Sequence, residues 1–136
     1  MTSVTKQFSF AAAHRLLNHE GKCVNLHGHT YHVEVTCEGE TDAMGRVVDF
    51  GVIKATFGAW LDKHFDHACI LEKGDPLIGV LAQMLLKVCV TECAPTAEHF
   101  AREFLANAQE CLTPHSVRVA RVRVFETPTS WADYVP

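Results

Sequence analysis

Several large classes are excluded by what the sequence lacks. No stretch approaches the roughly 18 consecutive apolar residues of a membrane span, so no membrane partner is expected. Met1 to Phe10 holds no charged segment followed by an apolar run, and the expected location is the cytoplasm. Positive charge is scarce: 12 Lys and Arg stand against 16 Asp and Glu, for a net charge of −4. That balance is the reverse of the basic footprint that holds phosphate backbones, so nucleic acid is not an expected partner. There is no Cys-x-x-Cys pair, which argues against a zinc ribbon or a thioredoxin-like site. There is also no GxGxxG and no P-loop, and nothing calls for a nicotinamide or flavin. Repeats, low-complexity runs and flexible linkers are missing as well.

What is present suits a soluble globule. Of 136 residues, 48% are hydrophobic and 21% charged, a composition able to fold as one domain over residues 1–136 without disulfide staples. Six cysteines occur, and without a secretory signal they are expected to stay reduced. The unusual feature is histidine: nine in all, with five in the first 32 residues.

Alternation predicts a strand from Val4 to His14 with Phe8, Phe10, Ala12 and His14 on one face. A second strand, His27 to Glu38, puts His27, His29, Tyr31, Val33, Val35 and Cys37 on one side. Gly39 and Gly45 bound a short return segment, Arg46 to Val48. Asp49 can cap a helix with an apolar stripe of Phe50, Ile53, Phe57, Trp60, Leu61 and His64, ending near Phe65. Two short apolar runs, Ala68–Leu71 and Lys87–Thr91, flank a short helix, Leu77–Met84. Thr96 then caps a long helix with a stripe of Ala97, Phe100, Ala101, Phe104, Leu105, Ala108 and Leu112. From Ser116 to Thr127 the strand parity slips between Val117/Val119 and Val122/Val124, which a bulge near Ala120 would reconcile. Trp131–Val135 adds a fourth strand. The expected class is α+β, ββααββ, with two main helices on one face of an antiparallel sheet. Open sheet edges need cover, so a homo-oligomer is expected.

His27 and His29 share a strand face, and His14 ends the inward row of the first strand. Antiparallel pairing of the two strands brings all three imidazoles to one end of the sheet. Three neutral imidazoles suit Zn²⁺ with a position left open; the plainer alternative is three separately hydrogen-bonded histidines. Cys23, four residues before His27, could be a fourth ligand, a nucleophile or base, or a small loop hydrophobe. A cation nearby favours a thiolate able to move protons. Asp66 beside His67 is an orienting pair or an ordinary helix end. Glu126 lies on the apolar face of its strand and needs a partner, either a buried arginine or the guanidine-like edge of a pterin or purine.

The segments FSFAAAH (8–14), KCVNLHGHTY (22–31), VVDF (47–50), FDH (65–67), PTAEHFA (95–101) and FETPTSWADY (125–134) together resemble the 6-pyruvoyltetrahydropterin and 6-carboxytetrahydropterin synthase family over nearly the whole chain. The resemblance implies a T-fold subunit assembling into a homo-oligomer, commonly a hexamer of two trimers. It also implies Zn²⁺ on His14, His27 and His29, catalysis by Cys23, Asp66 and His67, a pterin-anchoring Glu126, and backbone contacts to the pterin near Thr96 and Ala97. The implied substrate is 7,8-dihydroneopterin triphosphate. The close Cys-x-x-x-His-x-His spacing is similar to the bacterial carboxy branch that feeds queuosine biosynthesis. Ala68, Cys69 and an apparent insertion, Glu72–Met84, depart from the family pattern. Arg15, Lys22, Lys54 and Arg102 are candidate triphosphate cations, or simply solvated surface charge. A non-catalytic zinc-binding module is the rival from another class.

Overall fold

The computed structural model describes residues 1–136. Two long strands, β1 (Thr2–His14) and β2 (His27–Gly39), pair antiparallel along their full length, with His14 opposite His27 and Ala12 opposite His29. The helical stretch that follows is α1 (Phe50–Ile53), a wider π turn (Lys54–Gly58) and α2 (Ala59–His64). Asp49 caps it by accepting the Gly51 N–H at 2.7 Å. Then come β3 (Cys69–Glu72), α3 (Leu77–Gln83), β4 (Val88–Thr91), α4 (Ala97–Leu112), β5 (Arg118–Thr127) and β6 (Ser130–Tyr134).

The sheet has six strands in the order β4-β3-β1-β2-β5-β6. The four long strands are antiparallel, as expected. The two short apolar runs of the middle region become β3 and β4, which join parallel to β1 and to each other. The sheet is therefore mixed rather than wholly antiparallel. The return segment at Arg46–Val48 is irregular, and the Asp42 carboxylate ties the Arg46 backbone and guanidinium into a tight turn.

Helix α4 buries the stripe expected of it, Ala97 to Leu112, with Thr96 accepting the His99 N–H. The first helical stretch buries only Ile53, Phe57 and Leu61 of its expected stripe, while Phe50 and His64 face solvent. Its π turn holds Gly58 against the sheet, where a Cβ would come within 2.7 Å of the Phe8 ring. The core is aromatic: Phe10 stacks on Tyr31 at 4.8 Å and meets Phe65, Phe100 and Phe104 edge-on. Truncating such a ring costs about 3–5 kcal/mol. The β2–β5 register slips between Thr36/Arg121 and Cys37/Val119, so Ala120 is the extra residue, as the parity slip requires.

Candidate metal centre and adjoining pocket

Strand pairing does what parity promised. The rings of His14, His27 and His29 come together with centroids 4.6 Å apart for His14–His27 and 5.2 Å for each of the other two pairs. Gly28, between the two β2 histidines, is needed for the close pairing: a Cβ there would lie 3.0 Å from the Ala12 carbonyl oxygen.

Backbone carbonyls set the tautomers. His14 Nδ1 lies 2.7 Å from the Pro95 oxygen, and His27 Nδ1 lies 2.7 Å from the Asn25 oxygen. A carbonyl only accepts, so each Nδ1 carries the proton and each Nε2 keeps its lone pair. Burial holds the His14 pKa below its ordinary value against the raising effect of Pro95, which keeps that ring neutral. The Tyr31 hydroxyl adds a second, longer contact to His14 Nδ1 at 3.2 Å. Burial, with the Glu126 charge behind it, pushes the phenol pKa up, so Tyr31 stays protonated.

The Nε2 atoms of His14 and His29 are buried with no hydrogen-bond partner. Such orphans are costly unless something fills the space between them. Ligand atoms of His14, His27, His29 and Glu126 all lie within 4.8 Å of one another. Three imidazoles, two of them held from outside by carbonyls, converge with one carboxylate and form a donor set that fits a divalent transition ion. The residues fit the implied metal.

Cys23 and Lys22 sit on a short 3₁₀ turn, Lys22–Val24, pinned by the Leu16 N–H donating to the Cys23 oxygen at 2.9 Å. With Asn25, His27, His29 and Glu126 they line a cavity of about 500 Å³. Cys23 thus stands beside the histidines but outside the four-donor cluster. Thr96 and Ala97 start α4 immediately after the carbonyl that bonds His14.

Asp66 and His67 lie elsewhere. The Ala11 N–H donates to Asp66 Oδ1 at 3.0 Å, and the His67 N–H donates to the Ala11 oxygen at 2.6 Å. The Ala11 bond is the main reason the Asp66 pKa falls below the usual carboxylate range. Asp66 Oδ2 in turn holds His67 Nδ1 at 2.8 Å. His67 has φ of 58° and an 80% exposed side chain. It borders an open groove with Ala11, Gly28, His29, Thr30 and Lys87, so His29 borders both this groove and the Cys23 cavity. The pair is an oriented imidazole, as expected, but one chain does not bring it into the histidine and Glu126 cluster.

Of the four candidate cations, Arg15 is committed to the buried Asp75, and Lys22 lines the cavity. Arg102 lines a separate cavity beside β4, and Lys54 is exposed on the π turn. The Pro95 carbonyl and Asn25 were not legible as site residues: both act through backbone oxygens, which leave no side-chain signal. Tyr31 was legible in principle, two residues past His29 on the same face.

The chain matches the family model described as 6-pyruvoyl tetrahydropterin synthase over residues 3–136. It is 36% identical to the 6-carboxy-5,6,7,8-tetrahydropterin synthase of Rickettsia bellii, covering 98% of this chain and 99% of that protein. It is 34% identical to the synthase of the same name from Haemophilus influenzae, again over 98% and 99%. Among solved structures, the 6-pyruvoyl tetrahydropterin synthase of Caenorhabditis elegans superposes with a TM-score of 0.75 at 26% identity, covering 99% of this chain and 95% of that one. Histidine cluster, six-stranded sheet and full-length similarity agree, and the chain belongs to the 6-pyruvoyl tetrahydropterin synthase family of enzymes.

Proposed function

We propose that the chain is a zinc-dependent lyase that converts 7,8-dihydroneopterin triphosphate to 6-carboxy-5,6,7,8-tetrahydropterin, with release of acetaldehyde and triphosphate, in 7-deazapurine (queuosine) biosynthesis. The observation that carries this reading is the pair of orphaned Nε2 atoms of His14 and His29, the latter residue lining a cavity that also holds a thiol and a carboxylate. The names of the similar bacterial proteins support the carboxy product.

His14, His27 and His29 would hold the Zn²⁺. Bound there, the ion supplies Lewis-acid polarisation of the substrate's vicinal hydroxyls. Cys23 takes or returns a proton on one side of the substrate side chain, and His67, oriented by Asp66, does so on the other. Glu126 accepts two parallel N–H bonds from the pterin ring and fixes where the reacting carbons sit. Backbone groups at Thr96 and Ala97, at the open N-terminus of α4, complete the ring's contacts. Lys22, in the cavity wall, is placed to meet the triphosphate.

Cys23 and His67 line different recesses of one chain, with His29 bordering both, and pockets assembled from two copies would let them act on one substrate. The free sheet edges favour such assembly. β3 covers only Ala13 and His14 of β1, and the outer edge of β6 is unpaired. A head-to-tail homo-oligomer, in the form of a hexamer of two trimers, would use both edges.

The deciding experiment incubates purified protein with 7,8-dihydroneopterin triphosphate and identifies products by mass. Acetaldehyde with carboxytetrahydropterin supports the proposal. A pyruvoyl product reassigns the chain to the elimination reaction of its C. elegans neighbour's name, and no product with zinc bound leaves a non-catalytic module.

A further inference from the structure

We infer that Glu126 closes the metal centre of the substrate-free protein as a fourth protein ligand, and that the position opens when a pterin ring draws the carboxylate away. The second half rests on the proposed pterin chemistry; the first does not.

Three observations place the carboxylate there. Glu126 Oε1 lies 3.1 Å from His29 Nε2, yet off the line of a hydrogen bond, so His29 Nε2 remains without a partner. Two groups this close that do not bond each other are arranged like ligands converging on a third body between them. No Arg or Lys lies within ion-pair distance of the carboxylate, although Lys22 lines the same cavity. Neighbouring Arg121 and Arg123 are taken by Glu34 and Asp133, and its side chain is only 32% exposed. A partly buried, unpaired carboxylate is unfavourable unless a cation is supplied. Cys23, the other conceivable fourth ligand, falls outside the cluster of donor atoms that Glu126 joins.

The backbone explains how Glu126 could serve both ion and ring. On the β5–β6 ladder Phe125 pairs with Trp131 and Thr127 with Ser130, so Glu126 is the extra residue of a bulge. A bulge re-aims one side chain out of the regular alternation. A pterin edge offers the carboxylate two parallel N–H bonds, a better-defined partner than a single ligand bond, and one carboxylate cannot keep both geometries. Exchange would open the ion only in a pocket already holding the right ring, protecting it from stray diols and chelators.

The test replaces the native metal with Co²⁺ and follows its visible d–d spectrum in wild-type protein and in Glu126→Gln. The variant should show an altered spectrum, with water in place of the carboxylate, and its Co²⁺ affinity should fall by at least about ten-fold. Unchanged spectrum and affinity would overturn the ligand role. Adding pterin itself, which has no side chain to reach the metal, should shift the wild-type spectrum towards that of Glu126→Gln and leave the variant's unchanged. Pterin that binds by calorimetry without moving the wild-type spectrum overturns the exchange. Absence of pterin binding refutes the proposed function and the exchange together, while the spectra still decide the ligand role. Should Glu126→Gln fail to fold by circular dichroism, the infrared difference between Co²⁺-loaded and metal-free wild type decides: a metal-shifted carboxylate band supports the ligand, and its absence refutes it.

Discussion

His27 and Cys23 stand in one cavity wall with opposite expectations attached. His27 places Nδ1 against the Asn25 carbonyl and joins the cluster, so in the proposed zinc site its removal would take away a ligand. His27→Ala should lose bound zinc as read by elemental analysis, and turnover with it. Cys23 lies outside the cluster, so Cys23→Ala should keep its zinc while turnover falls about 10²–10⁴-fold, the usual worth of a positioned proton donor. Zinc lost from Cys23→Ala would make the thiol a ligand instead. The histidine trio was legible in the sequence because side-chain direction along a strand has a fixed period of two, and that period survives any detail of packing. Glu126 was legible as a carboxylate on an apolar face, but not as a neighbour of His29. Its position depends on a bulge, and parity near the end of a strand cannot register one.

Among the elements, α4 and the Ala120 bulge could be read in advance because each leaves a periodic trace over many residues. β3 and β4 could not be typed as reliably. Each is four residues long, and a short apolar run carries no period that separates strand from buried helix. What secures this segment is also long-range. Asp75, its side chain wholly buried, accepts from Arg15 Nε at 2.8 Å and from the Leu77 N–H at 2.9 Å, fastening the β3–α3 turn to the residue after His14. Arg15 is the main cause of the depressed Asp75 pKa. A carboxyl whose folded pKa is lowered contributes stability above its unfolded pKa of about 3.9 and loses it as pH falls through the folded value. Arg15→Met strands that buried charge and should cost about 3 kcal/mol at pH 7. The difference between variant and wild-type urea midpoints should shrink as pH falls, first as the stranded Asp75 of the variant protonates and then as the wild-type carboxyl does below its depressed pKa. A gap independent of pH would mean that the loss is one of packing.

At the scale of the whole molecule, the placement of Asp66–His67 decides how many chains make a pocket. A local pair such as Asp-His is visible in sequence, but the recess it reaches is set by tertiary anchoring, here two hydrogen bonds to Ala11. If Cys23 and His67 act on one substrate from different copies, each fault can be repaired by a neighbour. Cys23→Ala and His67→Asn should each keep only residual turnover alone; asparagine is chosen because it tolerates the left-handed backbone at position 67. In oligomers reassembled from an equal mixture, an intact Cys23 from one variant should meet an intact His67 from the other at about a quarter of the interfaces, restoring about that fraction of wild-type turnover. Were both residues drawn from the same chain, every pocket in the mixture would retain one defect, and no activity would return at any mixing ratio.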